Sequence, residues 1–344
     1  MGDMEKRFWV GGYSPDGGGT SLGIRAMGYT QGVLTDLGLA HAAESPSWLA
    51  THPRLPVLYA ALEHRGEVAA YRILGHNKLE PLGKPKLAGA LLCHLVVAEA
   101  AGALVASCYG DGKMLAYPMD ADGTLSDPVP AAESIDPFAV PGHPERASHS
   151  HQATVLRSGV IATTDLGHDA VRFCDLVQGQ WKLRQQLGLR KGDGPRHLVE
   201  HPSGFIYVVT EHGAEVITLR ADAAGVYREL CRTGLGEKVL AGSDFPAEIS
   251  LDTNNDRLYI GVRGAGIVAV LDLVSGRPVL RGSGSCAGAW PRHHLQVGNS
   301  LLVANQLSNT IEAIGLEGAD GLPQDSLSSL PMESPTCIAA QVTV

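Results

Sequence analysis

Seven segments of this 344-residue chain repeat one template. Each combines an apolar strand, a short turn and a second apolar strand. The first strands begin PSWLATHP at Pro46, LCHLVVAE at Leu92, SHQATVL at Ser150, PRHLVEHP at Pro195, PAEISLD at Pro246, PRHHLQV at Pro291 and PTCIAAQ at Pro335. The second strands are FWVGGY from Phe8, LYAALEH from Leu58, ALVASCYGDG from Ala103, VIATTDLGHD from Val160, IYVVTEHG from Ile206, LYIGVRG from Leu258 and LLVANQLSN from Leu301. Successive units start roughly 50 residues apart, the length of a four-stranded propeller blade. The repeat therefore predicts an all-β, seven-bladed β-propeller that takes up residues 1–344 as one domain. The terminal PTCIAAQVTV is expected beside the N-terminal FWVGGY in one blade, closing the ring and removing exposed sheet edges.

A propeller directs its equivalent inner strands at one central channel, so the repeat states which distant residues meet. At the end of the second strands the aligned column reads Tyr13, Glu63, Cys108, Asp165, Glu211, Arg263 and Gln306. The second column of the first strands reads Ser47, Cys93, His151, Arg196, Ala247, Arg292 and Thr336. The third reads Trp48, His94, Gln152, His197, Glu248, His293 and Cys337. The rest of each strand is mainly Val, Ile, Leu and Ala. Burying charge without a partner is costly, so a ring of polar groups at one strand end implies a wet, functional mouth.

Composition narrows the class. A net charge of −9 argues against nucleic acid or an anionic membrane as partner. The six cysteines are scattered without a CxxC pair and read as reduced thiols. MGDMEKRFWV has no apolar signal core, which makes the cytoplasm the expected location. The apolar stretch over residues 87–108 is long enough to imitate a membrane span, but it fits two strands joined by an Ala-Gly turn. The Pro-rich segment over residues 126–149 leads directly to His151, and long loops in compact domains are often functional. The glycine clusters at Gly17 and Gly282 are expected in turns, and no Gly-x-Ser-x-Gly elbow is present. His52 and His201 precede proline and are expected on the surface.

Two motifs carry chemistry. GDGPRHLVEHPSGFIYVVTEHG places Arg196 and Glu211 in neighbouring strands of one blade. That pairing is either a plain salt bridge or part of a site; Arg263, Arg292, Asp165 and His151 hold related places in other blades. Arginine presents a planar fork suited to carboxylate, phosphate or a developing oxyanion. In ASHSHQ, His149 and His151 alternate and are expected on one side of a strand. No third ligand stands at a familiar spacing, so acid–base or hydrogen-bonding roles are expected and no metal or other cofactor.

The order of these motifs resembles the seven-bladed propeller lactonase family, which includes cycloisomerase-type 6-phosphogluconolactonases and carboxy-cis,cis-muconate lactonizing enzymes. The resemblance spans essentially the whole chain. It implies a site built from His151, Arg196, Glu211 and Arg263 as catalytic residues, with His149, Asp165, His197, Glu248, Arg292, Gln306 and Glu63 around the substrate. The chain departs from the family pattern at Val262, where an Asn is usual. The activity implied is hydrolysis of an anionic sugar lactone, foremost 6-phosphogluconolactone; the sequence leaves the oligomeric state open, a monomer being compatible with it. A muconate-type lactonizing activity and a non-catalytic binding scaffold are the alternatives. The base is either Glu211 or His151; a carboxylate beside arginines has a depressed pKa and is a weak base.

Overall fold

The computed structural model describes residues 5–316 and 321–342, which form seven antiparallel sheets. Blade 1 contains Lys6–Gly12, Gly23–Thr30 and Val33–Ala42. Blades 2 to 7 begin with the innermost strands Pro46–Thr51, Leu92–Ala98, Ser150–Val155, Pro195–Glu200, Pro246–Asp252 and Pro291–Val297. The innermost strand of blade 1 is Pro335–Ala340. It pairs with Lys6–Gly12 in the register Phe8–Ala340, Trp9–Ala339 and Val10–Ile338, so the two termini close the ring as expected. The described residues contain no α-helix, only the 3-10 turns Pro15–Gly17 and Glu99–Ala101. The second turn joins Leu92–Ala98 to Ala103–Cys108 within the apolar stretch, and no described helix is long and apolar enough to cross a membrane.

The second strand of each blade is packed on both faces. Val57–Leu62, Ala103–Cys108, Arg257–Val262 and Ser300–Asn305 are buried at every position. Such strands read as continuous apolar runs rather than alternating ones, which is why the repeat was visible in the sequence. Tyrosines at one position of these strands stitch blade to blade. Tyr59 Oη donates to the Gly123 carbonyl at 2.8 Å, and Tyr207 Oη to that of Gly276 at 3.0 Å. Each ring buries a large apolar area while its hydroxyl keeps a partner.

One device recurs in all seven blades. The pairing between the first and second strands slips by one residue at the mouth end, leaving Ser47, Cys93, His151, Arg196, Thr336 and Arg292 as bulged residues, and Ala247 within the slip of blade 6. A β-bulge re-aims the side chain of the extra residue. Here it breaks the two-residue alternation, so neighbours such as Arg196 and His197 can both turn to the channel. In six blades the residue just before the inner strand is left-handed: Ser45, Leu91, Gly194, Phe245, Trp290 and Ser334, with φ from 39° to 64°. Five of these are not glycine, a backbone choice that persists only where the surroundings enforce it. Their carbonyls accept the backbone N–H of Glu63, Tyr109, Glu211, Arg263, Gln306 and Tyr13 respectively, at 2.7–3.4 Å.

That shared bond corrects the sequence alignment. Tyr109, not Cys108, is the equivalent of Glu63 and Glu211, and in blade 4 Leu166 holds the place that the sequence reading gave to Asp165. Leu166 N donates to the His149 carbonyl in the same way. A one-residue slip sends a side chain to the opposite face, so Asp165 does not share the column of Arg263. Three smaller expectations also change. His52 is buried, because its Nδ1 accepts the N–H groups of Arg54 and Leu55 and shapes the turn. Gly282 lies within the strand Arg277–Ser285 rather than in a turn. His149 precedes the strand of His151 instead of alternating with it.

Candidate active site

The bulged residues and their left-handed anchors assemble a small cavity at one end of the channel. Its wall consists of Ser47, Trp48, Glu63, Cys93, His151, Arg196, His197, Arg292 and Thr336. A wider groove lies on the outer rim between blades 2 and 3, where the outermost strands Leu79–Pro81 and Val129–Pro130 are short. Its wall is mostly apolar with three lysines and one aspartate, Asp127, which pairs with Lys86 at 2.8 Å.

Glu211 sits between two guanidiniums. Arg196 Nε approaches its Oε2 at 3.1 Å and Arg263 Nη2 at 2.6 Å. Arg196 Nε and Arg263 Nη2 thus share one carboxylate oxygen as ion-pair contacts, while Arg196 Nη1 is buried without an acceptor. Arg263 is positioned from below by its Nε, which donates to the Phe245 carbonyl at 2.9 Å, and its guanidinium lies 5.4 Å from the centre of the Trp290 ring. Both aromatic anchors are left-handed residues that sequence reasoning passed over. Burial opposes the Glu211 charge, but Arg263 and Arg196 outweigh it and hold the carboxyl below its usual range. Burial pulls both guanidiniums down, Arg263 to about 9, which leaves it a cation at neutral pH.

Across the cavity, Tyr13 joins Glu63 to Arg292. Its hydroxyl sits 3.0 Å from both Glu63 oxygens and accepts from Arg292 Nη2 at 2.6 Å. Arg292 Nη1 donates to Gln306 at 3.3 Å, and the guanidinium lies over the Tyr13 ring at 4.9 Å. Burial opposes the Arg292 charge, but Tyr13 and Glu63 raise its pKa overall.

The floor is aromatic and basic. His94 packs on Trp48 at 4.3 Å between ring centres, and His197 and His293 stand edge-on to the same indole. Glu248 accepts from His197 Nδ1 at 2.9 Å and lies 3.6 Å from His293 Nε2. Burial, then nearby Arg196, drives His94 down to about 3, and holds His151 and His197 well below their ordinary value. His293 falls to about 4, by burial against the pull of Glu248. These imidazoles are therefore neutral at pH 7. Cys93 is pushed well above the usual thiol range by burial, so it presents no thiolate to the cavity.

Of the residues expected from sequence, the structure brings together His151, Arg196, Glu211, Arg263, His197, Glu248, Arg292, Gln306 and Glu63. His149 stands to one side, stacked on Tyr109 at 4.4 Å, while His151 meets the edge of that same ring at 6.0 Å. Asp165 is occupied by loop donors: Ser148 Oγ at 2.6 Å and the N–H groups of His149 and His168 at 2.9 Å. It therefore positions the approach to His151 rather than facing the cavity. The Pro-rich loop is likewise a brace, held by Arg146 against Asp136 and Asp169, and it adds no residue to the cavity wall. Among the described residues, no three His, Cys, Asp or Glu side chains are placed to hold a metal ion.

The family model for the lactonase, 7-bladed beta-propeller matches residues 7–340. The chain belongs to that family. Lactonases of this kind include a 6-phosphogluconolactonase of Bacillus subtilis (strain 168), 26% identical over 292 residues that cover 83% of either chain. A periplasmic gluconolactonase of Pseudomonas aeruginosa superposes with a TM-score of 0.87 at 21% identity, covering 98% of this lactonase and 99% of that chain. A protein from Lactobacillus plantarum does so with a TM-score of 0.87 at 24% identity, with 98% and 99% covered. At such identities the structural likeness establishes the shared propeller alone.

Proposed function

We propose that this lactonase hydrolyses an anionic sugar lactone at the mouth of the channel, foremost 6-phosphogluconolactone. The observation that carries the reading is the buried pair of guanidiniums held together by Glu211, of which Arg196 Nη1 has no acceptor. Ester hydrolysis builds negative charge on the carbonyl oxygen, and preorganised donors in a dry site stabilise it strongly. The two guanidiniums serve as that oxyanion site. Glu211 keeps the two cations together and, being a depressed carboxylate, is a weak base. His151 lines the cavity and, although burial lowers its basicity too, its place on the wall puts it in line to take the proton of the attacking water. The relative named 6-phosphogluconolactonase supports the substrate class, and Arg292, on the opposite wall, is the group to hold its phosphate.

The test is an assay of purified protein on 6-phosphogluconolactone, gluconolactone and carboxymuconolactone, with and without chelator. Fastest turnover of the phosphorylated lactone, unchanged by chelator, is the expected result. Turnover of carboxymuconolactone alone moves the protein to muconate chemistry, and turnover of none leaves a binding scaffold.

A further inference from the structure

The channel joins its carboxylates to its arginines in two different ways. Glu211 meets Arg263 and Arg196 directly, at 2.6 and 3.1 Å. Glu63 and Arg292 also line one cavity, but a tyrosine stands between them. Tyr13 Oη lies 3.0 Å from each Glu63 oxygen and 2.6 Å from Arg292 Nη2. A guanidinium only donates and a carboxylate only accepts, so the hydroxyl donates to Glu63 and accepts from Arg292. Among the described residues Arg292 makes no direct ion pair with a carboxylate; its other side-chain hydrogen bond runs to Gln306 Oε1 at 3.3 Å.

The tyrosine is fixed in place. It follows the strand Lys6–Gly12 in the blade that closes the ring, between Glu63 of blade 2 and Arg292 of blade 7. Its N–H donates to the Ser334 carbonyl at 3.0 Å, and its carbonyl accepts from the Ser21 N–H at 2.8 Å. Gly19 packs so closely on it that a β-carbon there would strike the Tyr13 carbonyl. The buried ring lies 4.9 Å from the Arg292 guanidinium and edge-on to His64 at 5.8 Å. A carboxylate in direct contact would engage two N–H groups of the arginine fork and offset its charge. The neutral hydroxyl occupies one N–H and keeps the carboxylate at one remove.

We propose that Tyr13 is a specificity-determining residue: its hydroxyl holds Glu63 off Arg292 and so keeps the guanidinium open to an anionic group of the ligand. The inference rests on the lactonase reading, in which that group is the substrate's phosphate. Tyr13 is not part of the cavity wall and acts through Arg292, so it is a positioning residue.

Tyr13→Phe is the test, because it keeps the ring and its packing and removes only the hydroxyl. Arg292 is then expected to close on Glu63 as a direct ion pair. Calorimetric titration with 6-phosphogluconate, and with gluconate, which lacks only the phosphate, reads the consequence without turnover. The Kd of 6-phosphogluconate should rise about 10-fold or more, the scale of one charge-assisted hydrogen bond, and its advantage over gluconate should shrink. Adding Glu63→Gln to Tyr13→Phe removes the competing charge and should restore most of the affinity. Melting temperatures taken alongside show that each variant is folded. An unchanged Kd in Tyr13→Phe, or a loss that Glu63→Gln does not rescue, overturns the proposal. The crystal structure of Tyr13→Phe decides it independently: a direct Glu63–Arg292 contact is expected, and an Arg292 that keeps its wild-type distance from Glu63 overturns it. Failure of the wild type to bind 6-phosphogluconate overturns the substrate reading instead, and the structure of the variant still decides the role of Tyr13.

Discussion

Arg263 reaches back from blade 6 to place its Nη2 2.6 Å from Oε2 of Glu211 in blade 5, on the same oxygen that Arg196 Nε approaches at 3.1 Å. One carboxylate oxygen thus joins two buried guanidiniums that the sequence separates. The arrangement has energetic and catalytic consequences that can be told apart. On the proposed reading, Arg196→Ala and Arg263→Ala remove oxyanion donors and are expected to lower kcat/KM by about 10²-fold or more. Glu211→Gln keeps the shape but leaves two cations facing each other. Breaking a buried ion pair on one side costs about 3–5 kcal/mol, so its unfolding midpoint should fall well below those of the arginine variants. Equal melting of all three, measured by denaturant titration, would contradict this account of Glu211.

On the proposed reading, Arg292 is the group that holds the substrate's phosphate. Arg196, Arg263 and Arg292 are matched within the channel by Glu211, Glu63 and Glu248, so a bound phosphate adds to a nearly balanced site. Arg292→Lys keeps the charge, loses the fork that holds Tyr13 and Gln306, and should raise KM for 6-phosphogluconolactone while sparing gluconolactone. The quantity to compare is the ratio of kcat/KM for the two substrates in wild type and variant. A wild-type ratio near one refutes the phosphate role.

Acid should loosen the fold before it reaches most carboxylates. His94 and His293 have folded values of about 3 and about 4 against an ordinary 6.5, and His151 and His197 are lowered too. Below pH 6.5 the unfolded chain binds protons that the folded chain refuses, so stability rises with pH through this window. Full stability is expected above pH 6.5, with loss of about 1.4 kcal/mol per pH unit for each such imidazole as pH falls toward 4. Thermal melts between pH 7 and 4.5 check the slope; a flat profile would show that the histidines are hydrated.

Removing residues 335–344 deletes the innermost strand of blade 1 and leaves Lys6–Gly12 with an open edge. It also deletes Thr336 and the N–H of Ile338 that meets His293 Nδ1 at 3.4 Å. The truncated chain is expected to aggregate or to lose its cooperative melt, and a soluble truncation melting like the full chain would count against closure by this strand.

Much of this was legible along the chain. Second strands such as Val57–Leu62 are buried on both faces, so their apolar runs recur regardless of context and number the blades. The pairing of PTCIAAQ with FWVGGY follows from that repeat, because a ring must close. Arg196 beside Glu211, and Arg292 on the same cavity wall as Arg196, follow from aligned columns. The tertiary structure decided the rest, and the reason is register. Side chains alternate every residue along a strand, so a slip of one place in blades 3 and 4 exchanged Tyr109 for Cys108 and withdrew Asp165 from the wall. The repeated bulge turned both Arg196 and His197 toward the channel, which alternation alone forbids. Left-handed Phe245 and Trp290 then presented a carbonyl and two aromatic rings to Arg263. Residue type and spacing determine which strands form; backbone angles at single residues, set by packing between blades, determine where each polar group points.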